Sequence, residues 1–288
     1  MSGYLKNLVS KFLKDHGDVS LAQAKTPYPP DNKNWKPEDD EAGRFAADIA
    51  SYAASALFAS LVARPDTSVA VQRMCSRVTK WSVVDDKKLI RFMSYIAQEH
   101  DLELVGTLGP DDLDDLELVV WPDADWNGDP ETTRSTSGLF VELRGKSSGH
   151  TFPLTWKVSH QTATSSSSAE SETISASVAI RHSALPIQAL LEAMLGVTIP
   201  IKCMIDNTQA MSAIDKGYSK NLRHLARTHR VSIGVLHEIL SDPRVNLDVE
   251  YARSAEHKGD FFTKELDAAA FQAARERLGM RRAVRGST

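Results

Sequence analysis

The sequence predicts an α/β protein: a mixed five-stranded sheet with flanking helices, preceded by a smaller, mainly α-helical region. Three observations lead there. Apolar residues recur at helical spacing up to about residue 105, then give way to short apolar runs separated by Gly and Ser turns. The later elements come in the order three strands, helix, strand, helices, strand, helix, which suits a sheet with helices packed on it. The chain has 288 residues, 42% of them hydrophobic and 25% charged, enough for real cores in about two domains.

In the first region, Tyr4, Leu5, Leu8, Val9, Phe12 and Leu13 fall on one helical face. The stretch TPYPPDNKNWKPEDD (26–40) has four prolines and many charges and reads as an exposed linker. AGRFAADIASYAASALFASLVA is a long helical pattern that stops before Arg64-Pro65-Asp66. TSVAVQRMCSRVTKW gives a further helix, and DDKKLIRFMSYIAQEH another whose acidic first turn suits the helix dipole.

In the second region, LELVVWPDADW, GLFVELRG and FPLTWKVSH read as strands. The serine-rich TATSSSSAESET precedes a helix, with Ser167 and Glu170 as a capping box. That helix carries Ile174, Val178, Leu185, Leu190, Leu191 and Leu195, and Pro186 should kink or split it. IPIKCMIDN (199–207) is a short apolar strand, helical segments run through ILSD, and NLDVEYARS is the last strand. A final helix is expected from about His257 to Leu278. There are no internal repeats.

Bulk properties exclude several function classes. No apolar stretch approaches the roughly 20 residues of a membrane-spanning helix. The start, MSGYLKNLVSKFLKDHG, spreads its lysines along an amphipathic helix, unlike a secretory signal. Two cysteines, Cys75 and Cys203, build neither a disulfide framework nor a zinc pattern, so a reduced intracellular protein is expected. The net charge of −4 gives no overall attraction to nucleic acid, but charge is uneven: DDLDDLE (111–117) is acidic, RHLARTHR (223–230) and RRAVR (281–285) basic. Apparent motifs also fail. Asp85-Asp86 of SVVDD open a helix, with no palm segment before them. Phe140 stands where RGKSSG would need a phosphate-loop glycine, and Ser241 where LHEILS would need a second zinc histidine.

Four acids stand out by position. Asp123 ends the first strand inside WPDADWNGD and Asp206 ends the fourth strand. Glu172 and Asp260 lie near the starts of helices. Strand ends and adjoining helix starts can meet at one edge of a sheet, where ligands of α/β sheets bind. Carboxylates confined together need cations, and an all-oxygen set suits Mg2+. Two such ions about 4 Å apart can activate water and stabilise a phosphodiester leaving group. Any one of these acids, taken alone, is more often an ordinary solvated side chain than a ligand.

The segments WPDADWNGDPETTRSTSG, LTWKVSHQTATSSSSAESE, MIDNTQAMSAI and EYARSAEHKGDFFTKEL, in that order, resemble the ribonuclease H domain of copia-type retrotransposon Pol polyproteins. YLKNLVSKFL…TPYPP, the helices around Ala63-Arg64-Pro65-Asp66 and DDKKLIRFMSYIAQ resemble the tail that joins the reverse transcriptase to it. The resemblance implies a ribonuclease H-like fold over 110–280. It also implies a reverse transcriptase tail over 1–25, a linker over 26–40, a helical connection over 41–109 and a basic tail over 281–288. It implies Asp123, Glu172, Asp206 and Asp260 as catalytic ligands of two Mg2+ ions, with Mn2+ an acceptable substitute, and Glu170 as a cap. The activity implied is cleavage of the RNA strand of an RNA/DNA hybrid, alongside the rest of the polyprotein, in the cytoplasm, in virus-like particles or in the nucleus. Thr173 departs from the family, which carries an aromatic there. His257, close before Asp260, is either the mobile product-release histidine of ribonucleases H or a capping or surface residue.

Substrate contacts are open between two readings each. Arg134, Ser135, Thr136 and Ser137 could hold phosphates or form a turn. Lys220, Arg223, Arg227 and Arg230, with His224 and His229, form the densest basic run: a phosphate-binding surface or a solvated helix face. Trp126 and Trp156 could meet sugars or pack in the core.

Overall fold

Leu5, Leu8, Val9 and Phe12 stand at helical spacing and all are buried, so the chain begins with α1 (Ser2–Asp15). The computed structural model describes residues 1–29, 41–129 and 132–282; most of the expected 26–40 linker and residues 283–288 of the basic tail lie outside them. The next elements are α2 (Ile49–Val62), α3 (Ser68–Arg77), α4 (Val83–Glu99) and a short strand, β1 (Leu102–Leu104). Asp85 closes a capping box with Ser82 at the start of α4, and Asp86 accepts from the Arg44 and Phe45 amides and the Trp81 indole. Between α2 and α3, the Arg64 guanidinium makes a fully buried two-point contact with Asp66, which also accepts from Tyr95 Oη at 2.6 Å. The connection between α2 and α3 is thereby fastened to α4 at one buried carboxylate.

Then the pattern changes to strands: β2 (Leu116–Asp125), β3 (Thr136–Gly145) and β4 (Thr151–His160). They are followed by α5 (Ser168–Ala179), α6 (Leu185–Leu195), β5 (Ile201–Ile205), α7 (Thr208–Lys216), α8 (Leu225–Thr228), α9 (Ile233–Ser241) and β6 (Leu247–Tyr251). The strands form one five-stranded mixed sheet in the order β4-β3-β2-β5-β6. β2, β3 and β4 are antiparallel; β5 and β6 run parallel to β2. One face packs Leu118, Val120, Val141, Ile201, Cys203 and Ile205 against Ala176 and Ile180 of the following helices. Burial pushes the Cys203 thiol up to about 12, which leaves it an inert core residue.

Pro186 acts as expected, by a defined device. Its ring cannot sit in an unbroken helix, and a single π turn over Ile180–Ala184 separates α5 from α6, with Pro186 in the first turn of α6.

The C-terminal end departs from expectation. Instead of one helix from His257 to Leu278, a 3-10 turn spans Lys258–Phe262 and a separate α10 (Ala268–Arg277) follows, capped by Asp267, which accepts from Ala269 and Ala270. A last strand, β7 (Met280–Arg282), pairs antiparallel with β1, forming a two-stranded sheet that the sequence reading lacks. The chain divides into two compact units: Val105–Lys264, which holds the five-stranded sheet, and Met1–Leu104 with Glu265–Thr288. Residues 265–280, expected with the sheet, group with the helices: Phe271 meets Tyr95 edge-on, Arg275 pairs with Glu99, and Arg282 pairs with Glu99 and Asp101.

Candidate metal centre

The parallel pairing of β2 with β5 sets Val120 beside Cys203, so three residues further along each strand bring Asp123 beside Asp206. Asn207 then caps α7 with its side chain, accepting from Gln209 and Ala210. Of the Asp-Asn pair, the asparagine caps and the aspartate remains for the site, where Ser254 Oγ donates to it at 2.7 Å. Ser175 Oγ of α5 donates to the Asp123 carbonyl at 2.8 Å and pins that helix to the strand. Three residues earlier on the helix, Glu172 Oε1 accepts from the Ala124 amide at 3.3 Å. Asp123, Glu172 and Asp206 each place one carboxylate oxygen within 4.8 Å of the others.

Asp260 arrives on the 3-10 turn, which lies over the second face of the sheet. Phe262 stacks on Phe140 at 5.7 Å. The Lys258 ammonium reaches the buried Glu142 carboxylate at 2.6 Å, and the Trp121 indole donates to the same group at 3.0 Å. Two glycines permit the approach. A Cβ on Gly138 would lie 2.7 Å from Thr263 Cγ2 and 2.8 Å from Phe262 Cβ, and one on Gly259 2.8 Å from the Trp121 carbonyl. So seated, Asp260 and a ring nitrogen of His257 come within 4.8 Å of Asp123. The other three acids named from the sequence are therefore gathered around Asp123.

Electrostatics set the chemistry. Burial, then the Asp260 carboxylate, pushes Asp123 up to about 8, against relief from Lys264 and from the Thr263 hydroxyl, which donates to it. Burial, then Asp123 and Asp206, pushes Glu172 up to about 10. Burial works to lower the Lys264 ammonium, but Asp123, Asp260 and Asp206 outweigh it and hold the lysine above its usual range; its Nζ sits 2.8 Å from Asp260. Burial draws His257 below the usual imidazole range. Such a set fits divalent cations: the donors are mainly hard oxygens, and nearby positive charge would let Asp123 and Glu172 ionise.

The remaining sequence-predicted residues divide. Glu170 is a cap, with a twist on the expected box: Ser167 Oγ accepts from its amide, but its carboxylate reaches back to Ser166 and not to Ser167. Its other oxygen faces His224 at 3.1 Å and His229 at 3.4 Å, fastening the basic run to the helix that carries Glu172. Leu222, Leu225, Val231 and Ile233 seat that run on Ile174 and Ala213, and Lys220, Arg223, Arg227 and Arg230 stay exposed. Arg134 is exposed, whereas Ser135 is fully buried and its hydroxyl accepts from the Asn127 amide, which is the turn-forming role. Trp156 is buried; Trp126 is 45% exposed and donates to the Ser165 carbonyl. His257 is not a surface residue: it stands at the N-cap position of the 3-10 turn without a side-chain cap bond, and is buried beside the acids. Lys264 and Thr263 were missed as site residues, although both stand inside the quoted FFTKEL.

An α/β unit with a carboxylate cluster at one edge of its mixed sheet is thus defined. No protein-family model matches the chain. Among solved structures it is similar to the crystal structure of the Prototype Foamy Virus protease-reverse transcriptase (native), at 9% identity and a TM-score of 0.27, over 57% of this chain and 20% of that one. The chain thus spans about a fifth of that protein's length. Among the described residues, no helix is long and apolar enough to cross a membrane.

Proposed function

We propose that the chain is a Mg2+-dependent endoribonuclease of the ribonuclease H class, which cuts the RNA strand of RNA/DNA hybrids as part of a retroelement Pol polyprotein. The observation that carries this reading is the meeting of Asp123, Glu172 and Asp206 within 4.8 Å, with Asp260 reaching Asp123 from the other side. Asp123, Glu172 and Asp206 would hold one ion, and Asp123 with Asp260 would hold the other. Bound Mg2+ ions would supply the Lewis acid that activates water and stabilises the leaving oxygen of the phosphodiester. The protein's part is positioning. Ser175 and the Ala124 amide hold Glu172 and Asp123 in register, Ser254 orients Asp206, and the Lys258–Glu142 pair presses the Asp260 turn onto the sheet. Arg223, Arg227 and Arg230 would contact the hybrid's phosphates without reading sequence.

The test is cleavage of an end-labelled RNA/DNA hybrid with Mg2+, with EDTA and Asp206→Asn as controls and all-DNA and all-RNA duplexes in parallel. Cutting of the hybrid RNA alone, lost in both controls, is the expected result; Mg2+-dependent cutting retained by Asp206→Asn would sink the assignment. A second reading, a catalytically silent module that binds nucleic acid or a partner subunit, is favoured by one feature: the Lys264 ammonium already gives Asp260 an internal cation. Hybrid binding without metal-dependent cutting would support that reading instead.

A further inference from the structure

His257 is 1% exposed, and its Nε2 lies 2.8 Å from the Met204 carbonyl oxygen. A carbonyl only accepts, so Nε2 carries the proton and the lone pair stands on Nδ1. Nδ1 is buried and, among the described residues, has no hydrogen-bond partner. A bare acceptor enclosed in this way calls for an occupant. The ring plane is fixed by an edge-on contact with Trp121 at 5.6 Å, and Gly259 leaves it room, since a Cβ there would fall 2.7 Å from Cε1. A ring nitrogen of His257 lies within 4.8 Å of a carboxylate oxygen of Asp123 and of Asp260. A histidine with one nitrogen tied to a backbone carbonyl is oriented to offer the other to a metal.

We infer that His257 Nδ1, Asp123 and Asp260 form a mixed nitrogen–oxygen cation subsite that takes Mn2+ in preference to Mg2+. This deepens the nuclease reading, since it shares Asp123 and Asp260 with it, but it concerns binding and not cutting. The donors explain the preference: imidazole nitrogen suits the first-row divalent ions, whereas Mg2+ favours oxygen alone. The other group, Asp123 with Glu172 and Asp206, offers only oxygens and keeps no such bias. Entry of the ion displaces the Lys264 ammonium from Asp260. That side chain is 40% exposed and free to turn to solvent.

The experiment uses the full chain stripped with EDTA and loaded with Mn2+ alone, read by pulsed electron paramagnetic resonance for 14N coupling. The wild-type protein is expected to show imidazole nitrogen coupled to Mn2+. In His257→Gln the coupling should vanish, and affinity for one Mn2+ should fall at least about tenfold, by analogy with lost metal-site support, while Mg2+ affinity is unchanged. Mn2+ bound without nitrogen coupling, or coupling that persists in His257→Gln, overturns the inference and leaves the oxygen site intact. A folded wild-type protein that binds no Mn2+ overturns both the subsite and the metal-dependent nuclease. Nitrogen-coupled Mn2+ in a protein that does not cut hybrids upholds the subsite and removes the nuclease alone.

Discussion

Glu172→Gln should stabilise the metal-free protein, and by an amount that grows with pH. Glu172 sits against Asp123 and Asp206 in a buried pocket and holds its proton up to about 10, compared with an ordinary value of 4.5. The unfolded chain gives up that proton above pH 4.5 and the folded one does not. Stability is therefore full below pH 4.5 and is lost as pH rises toward 10. The slope is about 1.4 kcal/mol per pH unit, so over the interval from the ordinary value to pH 7 roughly 3–4 kcal/mol is forfeited, less whatever the pocket recovers by relaxation. Glutamine keeps the Oε1 contact to the Ala124 amide and carries no proton to lose. Urea titrations in EDTA at pH 5, 7.5 and 9, followed by hydrogen exchange of the β2 and β5 peptides, should show the variant near wild type at pH 5. At pH 7.5 it should be more stable by roughly that amount. Excess Mg2+ should reverse the order, because it binds and stabilises the folded wild type. A variant no more stable than wild type at pH 7.5, or a gap that fails to widen with pH, would refute the argument.

Other substitutions test the support around the cluster. Lys258→Met leaves the Glu142 carboxylate buried with, among the described residues, only the Trp121 indole as side-chain partner; a loss of about 3–5 kcal/mol is expected in urea unfolding. Gly138→Ala drives a methyl into Thr263 and Phe262 and should cost about 1–3 kcal/mol, with divalent-ion affinity, read by calorimetry, falling as the Asp260 turn is pushed away. Arg223→Ala and Arg227→Ala should each weaken hybrid binding and lower the salt slope by about 1, with no change in fold by circular dichroism. An unchanged slope would make the basic run an ordinary solvated face.

The five strands and their succession along the chain were legible because each strand is a local apolar run bounded by turns, and the almost wholly buried β2 is nearly continuous in apolar residues. The four acids were legible too, three of them at element boundaries that local patterns mark. The last segment was not. Its pattern supports a helix from 257, but Gly259 and the aromatic pair Phe261-Phe262 are recruited by the sheet face through Phe140, and α10 restarts only where Asp267 can cap it. β1 and β7 were invisible because each has three residues and their pairing links positions about 180 residues apart. His257 and Lys264 carry no local sign of their surroundings. Only the closing of the 3-10 turn brings a neutral imidazole and an ammonium against Asp123 and Asp260.

The unit containing the five-stranded sheet is an insertion between two stretches of the other unit, and this dictates a timetable of synthesis. Glu99 leaves the ribosome 176 residues ahead of its partner Arg275, a wait of roughly 9–35 s at about 5–20 residues per second. During that wait the helical unit lacks α10 and β7, so the buried side of Tyr95 has no Phe271 to cover it. The acids emerge in the order Asp123, Glu172, Asp206, Asp260, and the last of them comes only four residues before the sheet unit ends at Lys264. A nascent chain therefore carries an incomplete cluster until its own sheet is finished, and the helical unit closes only afterwards.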